Sequence, residues 1–447
     1  RLPQFSLGSP KQFSIMLYGG SLKATLREDT GKIYGPKAAK AGQKVLRNKV
    51  IDVHITGFKQ KPKKANEGKV KGIYTVTEAV LDEFSNSDNK DLSTFCTEII
   101  KYRKLKKLIG TYYESSIDKL RDGIIYHRYN NTHVETGRLS GSKPNAQNQP
   151  SNVKHLFKSR YGDEGSIVEF DFSQLEVLVQ AWLANCPKML NDITSGTDFH
   201  CKRLAYAEEM DYQQVVDLCA TDEKWKKKRS TIGKPISFQK AYGAAPKSIA
   251  AGSGLPLRVV ELVFQKEDEE YPEIKNFYDG VKDDIIRSSR RTNELLKIRD
   301  KPTGEVHSIP GEVRQVGFHQ TITGKTYSFK DLAVSGKFGL FKYWPQPDIY
   351  NYPIQGTAAD IQAVTHIEVW KFIKNHRDKG VMWNEVHDSK IFDIKNVHLD
   401  WIIPKLYTII KDVQGAMLKH LGIKFDAPFG VDVEFGPDWG HMEEYKL

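Results

Sequence analysis

The sequence predicts a mixed α/β fold in which aspartate-bearing strands are separated by a long helical block. Two observations predict the strands. Residues 166–172 (SIVEFDF) form an apolar, β-branched run, and residues 381–394 (VMWNEVHDSKIFDI) contain two such runs broken at His387–Asp388. A third observation predicts the helices, since residues 200–300 are charged and mostly helical in pattern. The 447 residues allow two or three domains, or one large unit with several lobes.

The overall composition is that of a globular protein without a membrane segment. Hydrophobic residues make up 39% of the chain and charged residues 28%, and no apolar run approaches the roughly 20 residues that cross a bilayer. The cysteines form no CxxC pair and no His-rich cluster; they are Cys96, Cys186, Cys201 and Cys219. We therefore expect reduced thiols, no structural zinc, no membrane partner and a cytoplasmic location.

The positive charge of the chain is concentrated at its N-terminal end. The net charge is +11, but residues 1–75 hold 16 Lys and Arg against 4 Asp and Glu, so this segment carries +12 and the remainder −1. The charge is densest at residues 59–64 (KQKPKK), and the β-prone run at 49–58 predicts an inserted hairpin-like element within residues 20–75. Such a block attracts a polyanion through counterion release. A solvated, flexible insertion explains the same charge, and an acidic membrane surface is a third option without a matching amphipathic face.

Helical periodicity flanks a loop in the next part of the chain. Apolar residues recur at steps of three and four between residues 76 and 120, which predicts helices. Residues 101–107 add five basic side chains that suit a phosphate backbone or a solvated helix face. Residues 132–150 are rich in Gly, Ser, Asn and Pro and are predicted to form a long ordered loop.

Asp171 and Asp388 have the settings of carboxylates held at the edge of a sheet. Asp171 ends one strand-like run, and Asp388 lies in the break between two others, 217 positions further on. Phosphoryl transfer uses such a pair, because two divalent ions clamp the attacking and leaving oxygens. Hard oxygen ligands favour Mg²⁺, which keeps waters and substrate phosphates as its other ligands. Alternatively, each aspartate only caps or turns the chain.

Residues 226–243 (KKKRSTIGKPISFQKAYG) contain a stripe at helical spacing. Lys234, Phe238 and Tyr242 lie four residues apart and would share one helix face. A cation followed by two aromatic rings suits a nucleoside triphosphate, with the lysine on phosphate and the rings beside sugar and base. An amphipathic core helix with a snorkelling lysine would show the same spacing.

Together, these stretches resemble the family A (DNA polymerase I-like) DNA polymerases, in particular bacteriophage members, from about Ser9 to the C-terminus. The diagnostic blocks occur in the family's order: TGRLSGSKPNAQNQP (136–150), motif A DFSQLEVLVQAWL (171–183), TDFH (197–200), motif B (226–243), NYPIQGTAAD (351–360), motif C VHDS (386–389) and VDVEFGPDW (431–439).

The resemblance assigns roles in catalysis and nucleotide binding. Asp171 and Asp388 would bind two Mg²⁺ ions, or Mn²⁺, with the main-chain carbonyl of Phe172 as a further ligand. Lys234 would act with them in catalysis. The residues that would bind the dNTP are Ser173, Gln174, Glu176, His200, Arg229, Lys234, Phe238 and Tyr242. Among these, Glu176 would be a steric gate against the 2′-hydroxyl, and Tyr242 would help to exclude mispairs.

The resemblance also implies DNA contacts and a domain layout. The residues that would contact primer–template DNA are Arg138, Asn145, Gln147, Asn148, Asn351, Gln355 and His387, mostly in the minor groove, where all base pairs share acceptors. The implied right-hand fold has a basic segment at 1–75, a helical thumb at 76–130, a palm at 131–200 and 346–447, and helical fingers at 201–345. Its partners would be primer–template DNA and dNTPs. It would act as a monomer in the cytoplasm, the host's if phage-encoded, with any processivity or replisome factor unknown.

Several residues depart from the family pattern. Ser389 replaces the usual Glu after the aspartate of motif C, as in single-subunit RNA polymerases, whereas Glu176 favours a DNA polymerase. Arg229 lies five residues before Lys234 instead of four, so Lys228 is an alternative phosphate ligand. Pro347 stands where an Arg is expected. Two alternatives therefore stay open, an RNA polymerase and a catalytically inactive DNA-binding relative.

Overall fold

A computed structural model of the chain describes residues 9–36, 41–62, 72–241, 243–299, 306–336 and 339–447, without the side chains of residues 238, 241, 299, 335, 336 and 339. The chain divides into two compact units. The first comprises residues 1–111 and 299–307, and the second comprises residues 112–298 and 308–447.

The first unit is a small helical cluster with a long hairpin. Its elements are α1 Pro10–Tyr18, β1 Gly20–Ile33, β2 Lys44–Ile55, α2 Glu78–Ser85 and α3 Lys90–Lys107. The strands β1 and β2 are antiparallel, with Gly20 opposite Ile55, so the predicted hairpin is confirmed. The helices enclose a core that includes Phe13, Leu17 and Leu81. Lys63 and Lys64 of the basic run lie outside the described residues.

The second unit contains the remaining elements. A π-helical segment, Leu108–Glu114, leads into it. Its helices are α4 Ser115–Ile117, α5 Ser151–Lys154, α6 Leu175–Leu183, α7 Pro187–Thr194, α8 Phe199–Glu208, α9 Tyr212–Thr221, α10 Glu223–Lys228, α11 Lys234–Ala241, α12 Pro246–Ser253, α13 Leu257–Glu270, α14 Pro272–Arg287, α15 Gln346–Ile373, α16 Leu399–Lys411 and α17 Val413–Leu421. A π-helical turn, Arg229–Gly233, joins α10 to α11, and 3₁₀ turns occupy Ala146–Asn148, Gly162–Glu164 and Asn396–His398.

The strands of this unit are β3 Leu120–Arg121, β4 Ile124–Ile125, β5 Arg128–Asn130, β6 Ser140–Ser142, β7 Gly165–Phe172, β8 Arg290–Arg299, β9 Val306–Gln320, β10 Thr326–Lys330, β11 Leu332–Gly336, β12 Gly339–Tyr343, β13 Gly380–Val386, β14 Ser389–Lys395, β15 Val431–Asp438 and β16 His441–Glu444. They form two five-stranded sheets and two short hairpins, β3–β4 and β5–β6.

The first five-stranded sheet places the predicted strands side by side. Its order is β13-β14-β7-β15-β16, and every adjacent pair is antiparallel. The central strand β7 is buried except at Glu169 and Asp171, because the sheet is covered on both faces. The core behind it contains Val168, Phe170 and Phe392 together with buried residues of α15, α16 and α17. The mixed α/β fold is confirmed, as are the strands at 166–172 and 381–394.

A second five-stranded sheet, with the order β10-β9-β8-β11-β12, was not foreseen. The helical description of residues 201–345 applies to α8 through α14, and this sheet follows them. It is anchored to α15 by an ion pair of 2.6 Å between Lys325 Nζ and Asp360 Oδ1. Next to this ion pair, the Tyr327 hydroxyl packs closely against Gly356 of α15. A Cβ on that glycine would lie 1.7 Å from the Tyr327 hydroxyl oxygen. The domain boundaries at 75, 130, 200 and 345 stay predictions.

None of the described helices is long and apolar enough to cross a membrane. All four cysteines are buried, and none forms a disulfide.

Candidate active site

Strand pairing brings Asp171 and Asp388 to the same end of the first sheet. Asp171 is the penultimate residue of β7, and Asp388 lies in the two-residue turn between β13 and β14. Ser389 is directly opposite Asp171 in the register of β14 and β7, and its hydroxyl donates to Asp171 Oδ1 at 2.7 Å. The backbone N–H of Phe172 donates to the carbonyl of Asp388 at 3.3 Å. The predicted meeting of these two aspartates is therefore found.

Both carboxyl groups have raised pKa values. Burial, followed by the charges of Glu176 and Asp171, raises the pKa of Asp388 to about 6, although Arg138 acts in the opposite direction. The pKa of Asp171 is also raised, chiefly because the surrounding protein atoms displace water from its carboxyl group. Part of the residue nevertheless remains exposed to solvent at the strand end. Burial therefore disfavours the ionised form of both carboxyl groups, and a bound cation would favour that form.

Glu176, predicted to be the gate, is paired with Arg138. The Arg138 guanidinium donates to Glu176 Oε1 and lies 3.9 Å from Asp388 Oδ1. Both side chains are about one-quarter exposed, at 26% and 29%. We refer to Asp171, Glu176 and Asp388 as the acidic cluster. Arg138, which was assigned to the minor groove, is the cation of this cluster in the structure.

Ser173 and Gln174 form the junction between β7 and α6. The Ser173 hydroxyl donates to Asp432 Oδ2 at 2.8 Å, which ties the junction to β15. Gln174 is exposed and has a φ of 54°, a left-handed conformation that is strained for a residue with a Cβ. The sharp turn places Glu176 in the first turn of α6.

His200, Arg229 and Lys234 form a second group, the basic cluster, on α8 and on the helix that contains the π turn. Burial, and then the positive charges of Arg229, Arg203 and Lys234, lower the pKa of His200, while Asp198 opposes this. Asp198 caps the N-terminus of α8 and accepts from Arg229 Nε at 2.8 Å. Lys234 is exposed. The positive charges of Arg229 and Lys234 therefore act on His200 in the first turn of α8, where Asp198 already accepts from the backbone N–H groups of His200 and Cys201.

The hydroxyl of Ser237 fixes the orientation of His200. Ser237 Oγ donates to the Gly233 carbonyl at 2.7 Å and lies 2.7 Å from His200 Nδ1. Since the hydroxyl proton is used on Gly233, His200 Nδ1 is the donor in the second contact.

The π turn accounts for the extra residue between Arg229 and Lys234. The N–H of Lys234 donates to the carbonyl of Arg229, a bond that spans five residues instead of four. Residues five apart therefore lie one above the other here, and Arg229 occupies the helix face that carries Lys234. This π turn, Arg229–Gly233, interrupts the regular α-helical hydrogen bonding between α10 and α11. Gly233 also permits close packing of α8, because a Cβ would lie 2.3 Å from the His200 carbonyl oxygen.

Two predicted nucleotide contacts cannot be located. Tyr242 lies outside the described residues, and the side chain of Phe238 is outside the description, although its backbone belongs to α11. Their assigned roles stay predictions.

The predicted minor-groove residues have separate settings. Asn145 accepts from the Gln147 N–H at 3.0 Å and so caps the 3₁₀ turn, and Gln147 Nε2 donates to the Glu385 carbonyl at 3.0 Å. Asn148 is exposed. On α15, Gln355 Nε2 lies 3.5 Å from Asn351 Oδ1.

His387, also assigned to DNA, precedes Asp388 in the motif C turn. It is exposed and has a φ of 50°, a left-handed conformation in a two-residue turn that usually contains Gly or Asn.

Sequence reasoning missed a buried charged network behind motif C. Lys390 is fully buried, and its Nζ donates to Glu385 Oε2 at 3.1 Å and to Gln362 Oε1 at 2.8 Å. Gln362 Nε2 in turn donates to the carbonyl of Asp388 at 3.1 Å. A signal was available, because a two-residue turn at His387–Asp388 places Glu385 directly opposite Lys390. An opposite-charge pair on facing positions of adjacent strands, flanked by Val386 and Ile391, indicates a buried ion pair.

Comparison with known proteins identifies the family. The sequence profile described as DNA polymerase family A matches residues 22–441. DNA polymerase I of Chloroflexus aurantiacus is 26% identical over 382 residues, which cover 84% of this chain and 35% of that protein. The DNA polymerase of Bacillus phage SP01 is 26% identical over 375 residues, 79% of this chain and 36% of that protein. The chain belongs to DNA polymerase family A.

A solved structure has a similar fold. The POL domain of Pol1 from M. smegmatis, in complex with DNA primer-template and dNTP, matches with a TM-score of 0.64 over 98% of this chain and 62% of that chain. At 18% identity, this likeness concerns the fold alone. The chain spans about a third of the length of the curated relatives named above, and a phage origin stays a prediction.

Proposed function

We propose that this chain is a template-directed DNA polymerase that adds dNTPs to a primer 3′ end. The observation that carries the proposal is the meeting of Asp171 and Asp388 at adjacent strand ends, in a chain of this family. The basic cluster supplies the second requirement, a set of cations for a triphosphate.

The acidic cluster fits a divalent metal. Its hard carboxylate oxygens suit Mg²⁺, and a bound cation would favour the ionised forms of Asp171 and Asp388, whose pKa values burial raises. Among the described residues, no group of three or more His, Cys, Asp or Glu side chains has metal-site geometry. In the proposed site, water and substrate phosphates would complete the coordination of the metal. Asp171, Asp388 and the Phe172 carbonyl would hold two Mg²⁺ ions, or Mn²⁺. When bound, they would activate the primer hydroxyl and neutralise the departing pyrophosphate.

The residues of the chain would bind and orient the substrates. Lys234 and Arg229 would contact the triphosphate. His200 would hold a proton on Nδ1 for Ser237, and an arriving triphosphate would raise its pKa because negative charge favours the imidazolium. Glu176 would lie beneath the sugar, where a 2′-hydroxyl would collide with it. Arg138 would exchange its contact with the acidic cluster for the DNA.

Primer extension with Mg²⁺ tests the proposal. The wild type is expected to extend a labelled primer with dNTPs, and Asp171→Asn should lower the rate at least ~10³-fold, since the metal supplies several kcal/mol of transition-state stabilisation. Glu434→Gln is the matched control, because it removes a carboxylate of the same sheet whose charge acts on Asp171. It should extend at nearly the wild-type rate.

The same assay separates the alternatives. An inactive relative would show no extension in the wild type, and an RNA polymerase would prefer rNTPs. Equal rates for wild type and Asp171→Asn would remove the metal assignment.

The hairpin β1–β2 is a further proposed DNA contact. Within the hairpin, Glu28 accepts from Arg47 and Lys49, and Asp29 pairs with Lys44. These ion pairs neutralise part of the positive charge of the hairpin, but they are exposed and therefore weak. Deleting residues 20–70 should weaken DNA binding and flatten its salt dependence. An unchanged affinity and slope would show that the hairpin is only a solvated insertion. A cytoplasmic location and a monomeric state stay predictions.

A further inference from the structure

A basic cleft lies on the second unit, outside the residues assigned so far. It has a volume of about 290 Å³ and is lined by Lys119, Arg121, Tyr126, His127, Arg128 and Lys143, which belong to or flank the hairpins β3–β4 and β5–β6. Four of these six residues carry a full positive charge. We refer to these six residues as the basic cleft.

Among the described residues, no carboxylate neutralises the cations of the basic cleft. Within the described parts of the chain, Lys119, Arg121, Arg128 and Lys143 form no ion pair with any carboxylate, including those of Asp118 and Asp122 beside them in the sequence. All four side chains are exposed. Like charges gathered without counterions repel one another, and a polyanion relieves this while releasing its own counterions.

Aromatic residues complete the surface. Tyr126 is 60% exposed beside the cations. The ring of His127 is held edge-on against Tyr129, with centroids 4.9 Å apart, and burial lowers its pKa, so it is a neutral wall of the cleft near pH 7. A surface with one exposed aromatic ring among four cations suits the sugar–phosphate backbone of a duplex. A site for single-stranded nucleic acid needs a series of rings on which the bases stack.

The basic cleft is rigidly connected to the strand that leads into Asp388. The hydroxyl of Tyr129 on β5 donates to Asn384 Oδ1 and accepts from the Glu385 N–H at 2.6 Å, and both partners lie on β13. His127 also contacts Trp383 of the same strand, with ring centroids 6.5 Å apart. A polyanion bound in the cleft would therefore be held at a fixed position relative to motif C.

We propose that the basic cleft binds backbone phosphates of the duplex whose primer end reaches the acidic cluster. This inference rests on the proposed polymerase function and deepens it, because it names duplex contacts other than the residues assigned to DNA above. The cleft contributes affinity and salt dependence, and it takes no part in the chemical step.

The test is duplex binding by the full chain, measured by fluorescence anisotropy across a salt series without dNTPs. Arg128→Gln combined with Lys143→Gly removes two charges. Lys143 has a φ of 57°, a left-handed conformation that Gly adopts with less strain, so this substitution does not burden the backbone. We expect the affinity for duplex to fall about tenfold. The negative slope of log K against log salt should become shallower by about 2, since each lost phosphate contact removes about 0.9 from its magnitude.

Three comparisons make the result specific. Lys119→Gln with Arg121→Gln, on the other hairpin, should act in the same direction, and Arg128→Lys should retain binding. Lys405→Gln with Lys411→Gln removes two exposed charges on α16 and should leave the slope nearly unchanged. An unchanged slope in both cleft variants, or an equal loss in the α16 variant, would overturn the proposal.

Inorganic pyrophosphate serves as a competing probe, because a free phosphate would recognise the same cations. If the cleft variants lost pyrophosphate binding but bound duplex as tightly as the wild type, this result would also overturn the proposal. Failure of the polymerase function would look different. A wild type that binds duplex through the cleft but extends no primer would overturn that function and leave the cleft assignment intact.

Discussion

The two charged clusters of the candidate site are held in place by different means. The acidic cluster depends on backbone pairing, since Asp171 and Asp388 are placed by the register of β7, β14 and the turn between β13 and β14. The basic cluster depends on side-chain contacts and on one irregular helical turn, through Asp198, Ser237 and the π turn. A sheet register is shared among many hydrogen bonds, whereas a π turn depends on a few. We therefore expect the geometry of the basic cluster to be the more easily altered.

The largest effect on stability should come from the buried charge behind the acidic cluster. Lys390→Met should lower the free energy of unfolding by about 3 kcal/mol or more, because it leaves Glu385 buried without its ammonium partner. Urea unfolding measures this change.

A matched double variant identifies the cause. Glu385→Met with Lys390→Met should recover most of the stability, since neither charge is then left unpaired. A single Lys390→Met variant as stable as the wild type would show that the backbone register holds this region without the ion pair.

A smaller effect is expected at the close contact beneath the basic cluster. Gly233→Ala should cost about 1–3 kcal/mol of stability, because a Cβ meets the backbone carbonyl of His200 and must push α8 away. The KM for dNTP should rise more than kcat falls, since His200 and Lys234 move apart while the acidic cluster is untouched. Gly252→Ala on α12 is the control, because its Cβ would meet only a side-chain oxygen at 3.6 Å. An unchanged KM would show that the basic cluster is as robust as the acidic one.

The smallest effect is expected at the gate. Glu176→Ala should reduce discrimination between dNTPs and rNTPs by about tenfold, which corresponds to about 1.4 kcal/mol, because the side chain beneath the sugar is removed. Competitive incorporation of a dNTP and the matching rNTP gives the ratio. Glu176→Gln keeps the volume and should keep most of the discrimination. If the alanine variant discriminates like the wild type, the gate lies at another residue.

The elements that carry the acidic cluster follow from the sequence, for a physical reason. Apolar runs are a local feature of the sequence, so the strand predicted at 166–172 agrees with β7 to within a residue. The positions of Asp171 and Asp388 at the edge of the sheet follow from the predicted strands and from the motif C turn. The second sheet was missed because β9 is long, exposed over most of its first half and interrupted by Pro310 and Gly311, which obscures any period.

The partners of charged side chains were harder to predict than the elements that carry them. Arg138 was assigned to DNA alone, yet in the structure it pairs with Glu176, 38 positions away. Lys390 was not noticed, although the hairpin register places it opposite Glu385. The sequence shows that Arg229 lies five residues before Lys234 instead of four. Only the hydrogen bond from the Lys234 N–H to the Arg229 carbonyl shows that both residues share one helix face.

The sequence by itself determined the elements, the family blocks and the residue types at the site, because these depend on short-range periodicity and on the order of motifs. The tertiary structure decided which residues meet: Ser389 with Asp171, Arg138 with Glu176, and Gly233 with the backbone of α8. Such contacts join residues that are 33 to 218 positions apart. No local propensity specifies them, because they form only when the sheet and the helices pack around one core.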